Sequence, residues 1–347
     1  MHIKRIASII LLVGLLTLPS CSSKDSVDRN NKEVREASID SVETEIVVEE
    51  EPQIKEILPA DIKITKELTY EQYTLEDTYP YKDTTRTFQW DKIREIMAQI
   101  ENVQREGPQP WGILKNRRNK NGEAPLVHNW SRNAYKNVAD SFGIERFQGT
   151  PLFLPYDSVT PVRYGQDGEL VKLTYSNDSS EFIGAQTIYV PGDFIIPRKY
   201  VHIIDTICFE HLVFVDRHNQ NITTLEKNND TWLVRSMNPS TTGKYRPPYA
   251  HDTPLGIFVI QEKKAKMYYY VDGTTTIAGY APWASRFTNG GYIHGVPTTN
   301  PQGSIIEYSR TLGTIPRSHM CVRNASSHAK FVYDWALLEK SLVVVIE

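Results

Sequence analysis

The sequence predicts a mainly β C-terminal domain preceded by an α+β accessory region, and three observations carry the prediction. Apolar runs of strand character recur after Lys199, at 212–217, 232–236 and 342–346. Residues 88–104 place Trp90, Ile93, Met97, Ile100 and Val103 on one helical face before Gly107 and Pro108 break the pattern. Between these regions, 150–196 has the texture of short strands and turns.

Each element follows in order. After the helix over 88–104 comes a basic, turn-rich stretch at 115–122, read as a solvated loop. A second helix is expected over 130–142, with Ala134, Tyr135 and Val138 on its apolar side and Gly143 as its cap. Strands are expected at 151–155, 170–175 and 187–191, in a unit whose texture resembles the small SH3-like barrels of bacterial wall enzymes. The accessory region therefore spans 63–198, with helices within about 88–143 and the small β unit at about 150–196. The mainly β domain spans 199–347. Cys208 sits in the apolar run 201–209 and reads as a buried core thiol. Helical spacing returns only at 330–340, through Phe331, Trp335 and Leu338.

The N-terminal end reads as an export segment. Lys4 and Arg5 precede a largely apolar run at 6–18, shorter than the roughly 17–25 residues that cross a bilayer. It ends Leu18-Pro19-Ser20-Cys21, which resembles a bacterial lipobox with Cys21 as the lipidated first residue after a signal peptide of residues 1–20. Residues 22–62 hold 12 acidic and 5 basic residues and neither glycine nor an aromatic ring. Such a segment is expected to be a disordered, self-repelling tether, completing a 21–62 unit with the lipid anchor. The rest of the chain is close to neutral, which argues against nucleic-acid binding. No HExxH or zinc-type Cys/His spacing occurs, so neither a metal nor another cofactor is expected.

One constellation specifies chemistry. The chain reads Ser318-His319-Met320-Cys321-Val322-Arg323-Asn324, and a second histidine lies upstream in Tyr292-Ile293-His294-Gly295. A thiol among a hydroxyl, imidazoles and a guanidinium suggests a nucleophile held as a thiolate.

Four blocks, in order, resemble the L,D-transpeptidases of bacterial cell walls. They are Ser240-Thr241-Thr242-Gly243-Lys244, the segment Thr253-Pro254-Leu255-Gly256-Ile257-Phe258, the stretch from Pro282-Trp283 through Gly290-Gly291 to Ile293-His294-Gly295, and the Cys321 block followed by Asp334. The resemblance covers about 200–347 and implies a YkuD-like β-sandwich with a short helix after the cysteine motif. It implies Cys321 as nucleophile and His294 as general base, oriented by a backbone carbonyl such as that of Gly295. His319 then shapes the site, Ser318 holds the loop, Arg323 grips a substrate carboxylate, and Trp283, Arg286 and Met320 line the donor cleft. Asp334 is expected to be a structural partner.

The implied reaction cleaves the bond between the L-centre of a diamino acid and D-Ala in a tetrapeptide stem, and passes the acyl group to an amine as a 3→3 cross-link. Water as acceptor makes the same site an L,D-carboxypeptidase or hydrolase; an inactive wall-binding lipoprotein is the other reading. Peptidoglycan stem peptides and, through the lipid, a membrane are the implied partners. The implied location is the periplasmic side of a Gram-negative envelope, at the outer membrane. The sequence departs from the family in two places. Met320 stands where glycine usually precedes the cysteine, and the 23 residues between His294 and Ser318 exceed the family's usual interval. If position 320 required a positive φ, methionine would be strained there.

Overall fold

The computed structural model describes residues 55–107, 110–175 and 180–347. The signal peptide, Cys21 and most of the expected tether lie outside the described residues. The chain forms strands β1 (Lys63–Lys66), β2 (Thr78–Tyr81) and β3 (Thr84–Thr87), helix α1 (Trp90–Arg105), then β4 (Trp111–Leu114), β5 (Ser131–Arg132), β6 (Val138–Ala139), β7 (Gly149–Leu152) and β8 (Arg163–Gln166). There follow β9 (Leu170–Tyr175), β10 (Phe182–Thr187), β11 (Gly192–Pro197), β12 (Val201–Ile204), β13 (His211–Asp216), β14 (Asn221–Asn228) and β15 (Thr231–Pro239). The remainder holds β16 (Gly256–Val259), β17 (Glu262–Tyr270), β18 (Ile277–Thr288), β19 (Gly291–His294), β20 (Val322–Arg323), helix α2 (Ser326–Trp335) and β21 (Ser341–Ile346).

Three layers build the C-terminal domain. A six-stranded sheet in the order β1-β15-β14-β13-β21-β16 forms the middle layer. Successive residues of a strand face opposite ways, and β13 shows what each face buries. Leu212 and Phe214 join a cluster with Trp232, Val344 and the α1 residues Ile93, Met97 and Ile100. Val213 and Val215 join a second cluster with Phe287, Ile293, Val322 and Val332, which belong to the four-stranded sheet β17-β18-β19-β20 and to α2. The domain is therefore a β-sandwich with a short helix after the cysteine block, and the region before it is α+β. Helix α2 begins at Ser326 and ends at Trp335, earlier at both ends than the spacing at 330–340 suggests.

The accessory region holds the antiparallel sheet β11-β10-β9-β4-β12 around Leu114, Val171, Leu173, Ile183 and Ile196. The structure corrects several sequence expectations here. No helix forms over 130–142; β5 and β6 pair instead. Asn133 Oδ1 accepts the amides of Tyr135 and Asn137, and Asp140 Oδ1 accepts those of Phe142 and Ile144. Short polar side chains that capture nearby backbone amides offer the chain an alternative to helix. Residues 188–191 form a turn rather than a strand, with Thr187 Oγ1 donating to the Val190 carbonyl at 2.7 Å.

The expected boundary at 198/199 is crossed in both directions. β12, beyond it, pairs with β4 in the accessory sheet, while β1, at the start of the accessory region, adds to the edge of the middle sheet beside β15. Residues 55–62 are not tether, because Ile62 is buried and Ile57 packs against the same cluster as α1. Cys208 is half-buried rather than a buried core thiol, and Cys321 is free, so the two are not joined.

Candidate active site

The cysteine and histidine blocks meet as parallel strands. β19 pairs with β20 so that Ile293 faces Val322 and His294 faces Arg323. Ile293 and Val322 point into the sandwich core. Alternation then sends His294, Arg323 and Cys321 to the opposite face, and the Arg323 guanidinium acts electrostatically on both of the others. No sequence proximity would give this; it follows from register.

Cys321 immediately precedes β20, and its Sγ donates to the Gly290 carbonyl at 3.4 Å. Burial pushes its pKa up to about 11, against the opposing pull of the Tyr292 backbone amide and the Arg323 guanidinium. The resting group is therefore a thiol. The thiolate expected from the polar neighbours does not form, because desolvation outweighs them. His294 is buried, and its Nδ1 lies 2.6 Å from the Gly295 carbonyl. A carbonyl only accepts, so Nδ1 carries the proton and Nε2 keeps its lone pair. Burial lowers the His294 pKa to about 4, with the Gly295 carbonyl opposing and Arg323 assisting. The pair at neutral pH is therefore a neutral thiol and a neutral imidazole.

The loop before Cys321 is clamped by the other two blocks. Ser318 is buried; its Oγ donates to the Cys321 carbonyl at 2.5 Å and accepts the Met320 amide at 3.3 Å. Thr253 Oγ1 accepts the Gly243 amide at 2.8 Å and donates to the Met320 carbonyl at 2.7 Å. A Cβ on Gly243 would lie 2.9 Å from Met320 Cα and 2.3 Å from the His251 carbonyl, so only glycine permits this approach. Met320 is absent from the described residues with positive φ, so methionine is unstrained beside Cys321. His319 is exposed and its Nε2 pairs with Asp272 at 3.0 Å.

Arg323 is mostly buried, and burial lowers its pKa. Its Nε is buried without a hydrogen-bond partner among the described residues. It lines a cavity of about 330 Å³ with Tyr269, Thr299, Ser309 and Thr311, most of them from the long segment between His294 and Ser318.

Two expected cleft residues are used elsewhere. The Trp283 ring meets Tyr333 edge-on at 5.6 Å, with the Lys330 ammonium 5.0 Å from its centroid, so it props α2. Arg286 is buried, with Nη1 2.8 Å from Asp167 of the accessory region and Nε 3.3 Å from Glu262. Asp334 lies in the last turn of α2, exposed and paired with Lys330.

Residues 210–346 match the family model described as YkuD, the L,D-transpeptidase catalytic domain. That stretch is under half of the chain, and it is similar to YkuD-type catalytic domains. Solved structures similar to parts of it include an L,D-transpeptidase from Mycobacterium smegmatis, at 16% identity over 51% of this chain and 82% of that one, with a TM-score of 0.34. L,D-transpeptidase 3 from Mycobacterium tuberculosis, in complex with a faropenem-derived adduct, matches at 17% identity over 53% and 93%, with a TM-score of 0.32. A fused Zn-dependent amidase/peptidase/peptidoglycan-binding domain-containing protein from Clostridium acetobutylicum matches at 16% identity and a TM-score of 0.29. That match covers 40% of this chain and about half, 52%, of the other. No curated protein sequence matches the chain.

Sequence reasoning about this region missed three participants. The Gly290 carbonyl holds the thiol, Asp167 reaches across from the accessory region, and Ser326 underlies the histidine. None of the three left a sequence signature of its role; Ser326 is the first residue of α2 but does not cap it, since the N-cap is Ala325.

Proposed function

We propose that this protein is a cell-envelope L,D-transpeptidase in which Cys321 is the nucleophile and His294 the general base. The observation that carries the reading is the shared face of Cys321 and His294, with Nδ1 tied to Gly295 and Nε2 left as an acceptor. His294 Nε2 takes the thiol proton as Sγ attacks the carbonyl carbon between the L-centre of the diamino acid and D-Ala of a tetrapeptide stem. The tetrahedral intermediate collapses with the proton passing from His294 to the departing amine of D-Ala, leaving a thioester on Cys321. An amine of a second stem then attacks the thioester and yields its proton to His294. Collapse forms the 3→3 amide bond and returns the proton to the sulfur.

Arg323 suits the carboxylate of a stem terminus, since its buried Nε has no hydrogen-bond partner among the described residues and the residue lines a cavity. The unstrained Met320 supports a working rather than a decayed site. Export, lipidation at Cys21 and a periplasmic position at the outer membrane complete the proposal, on the strength of the N-terminal sequence.

Purified protein incubated with tetrapeptide muropeptides should release D-Ala and form cross-linked dimers, and Cys321→Ala should do neither. Release of D-Ala without dimers would make it a carboxypeptidase. Identical products from wild type and Cys321→Ala would sink the enzymatic reading.

A further inference from the structure

Ser326, the first residue of α2, is 2% exposed and belongs to none of the four sequence blocks. Its Oγ donates to the Ile306 carbonyl at 2.6 Å and accepts the Val296 amide at 3.1 Å. That amide and the Gly295 carbonyl are the two ends of one planar peptide unit. The carbonyl end accepts His294 Nδ1–H at 2.6 Å. A single file of hydrogen bonds thus runs from the imidazole through the 295–296 peptide and the Ser326 hydroxyl to Ile306, every donor pointing the same way.

The peptide is pinned on its other flank as well. Gly295 N–H donates to the Pro282 carbonyl at 2.9 Å, and a Cβ at Gly295 would lie 2.6 Å from Ser326 Oγ and 2.8 Å from Pro282 Cγ. Ser326 N–H also donates to the Glu307 carbonyl at 2.8 Å. Both polar groups of this residue therefore hold the long segment that leads from His294 to the cysteine loop. Hydrogen bonds in file polarise one another by about 10–30% each. A carbonyl whose own N–H is engaged is a stronger acceptor, and a more firmly held Nδ1–H leaves Nε2 more basic.

We propose that Ser326 is a positioning residue for the acyl transfer. Through the 295–296 peptide it fixes the carbonyl that orients His294, and it ties that base to the segment bearing Ile306 and Glu307. The proposal rests on His294 acting as the base. Its neighbour Ser327 provides the contrast, since Ser327 also binds this segment, through the Glu307 carboxylate, but has no path to the imidazole.

The test is the rate of Cys321 alkylation by iodoacetamide at pH 7 in the full-length protein, read beside the His294 tautomer in ¹⁵N spectra. His294→Ala should slow alkylation about 100-fold. Ser326→Ala should slow it about 10-fold and give a mixture of tautomers, while Ser327→Ala stays within about twofold of wild type. Should Ser326→Ala fail to fold, Ser326→Thr and Ser326→Val carry the comparison, as they differ only in the hydroxyl; Thr should react about 10-fold faster than Val. Wild-type rates and a single tautomer in Ser326→Ala, or equal rates in Thr and Val, overturn the role of Ser326 while leaving His294 as base. A wild-type rate in His294→Ala overturns the base, and this proposal with it.

Discussion

The strand pair bearing His294 and Cys321 and the seam between the accessory region and β17–β18 are both polar and largely buried, yet they are built by opposite means. In the first, partners lie within some thirty residues, and a two-residue register brings them together. In the second, one carboxylate gathers groups from across the chain. Asp167 Oδ1 accepts the amides of Asn116 and Arg117 at 3.0 Å each, and its Oδ2 accepts Arg286 Nη1 at 2.8 Å. Arg117 then reaches Glu262 and the Tyr292 hydroxyl, two residues before His294. The basic loop at 115–122 thus docks on the C-terminal domain through Arg117, while Arg118 and Lys120 stay exposed. The first arrangement holds a thiol and an imidazole both neutral; the second sets a carboxylate against each guanidinium it gathers.

Four perturbations break or sharpen that contrast. The largest effect belongs to the strand pair: Cys321→Ala should reduce acyl transfer to background in a muropeptide assay with the melting temperature nearly unchanged. At the seam, Asp167→Ala should act on stability instead. It strips a buried guanidinium of its closest counter-charge, which typically costs about 3–5 kcal/mol, measurable by urea denaturation. A loss within about 1 kcal/mol would mean that Glu262 alone neutralises Arg286.

The third uses pH. Burial lowers the pKa of His294 to about 4 and that of His328, held by Ser236 and packed near Tyr70, to about 3. Between about pH 6.5 and those values the unfolded chain binds protons that the folded one refuses. Their contribution is therefore fully present above about pH 6.5 and falls as the pH drops through the window, by an amount on the order of a few kcal/mol per group. Replacing His328 with Gln should flatten that slope in acid titrations followed by circular dichroism. In the same spirit, iodoacetamide alkylation of Cys321 should climb steadily from neutral pH towards its pKa of about 11. A plateau reached below pH 8 would mean a resting thiolate. The smallest effect is expected of Met320→Gly, which should lose roughly 0.5–1 kcal/mol through backbone freedom and gain no activity, since methionine is unstrained there.

The same contrast explains what the sequence could tell. Strands 211–216 and 341–346 are legible because both of their faces are buried, so composition alone marks them. Helix α1 is legible from its single apolar stripe. The expected helix at 130–142 fails because Asn133 and Asp140 take backbone amides, a competition that an apolar spacing count does not weigh. Cys321 and His294 stand out by residue type and block order. Arg286 and Trp283 stand out equally, but their use is decided by Asp167 and by Tyr333, which lie far away in sequence. Ser326 acts through a peptide bond, and a contact made by backbone carries no residue signature.

Helix α1 shares a cluster with the face of β13, β15 and β21 that turns away from the reactive strands. A piece of chain cut at residue 210, where the family match begins, would keep every group of the reactive constellation. It would also leave Leu212, Phe214, Trp232 and Val344 facing water and the edge of β15 without β1. Such a piece should aggregate or expand, because an uncovered apolar sheet face and an open edge both invite association. The segment that matches the family model is therefore smaller than the unit that can fold, and a soluble fragment of this protein has to start upstream of Ile57.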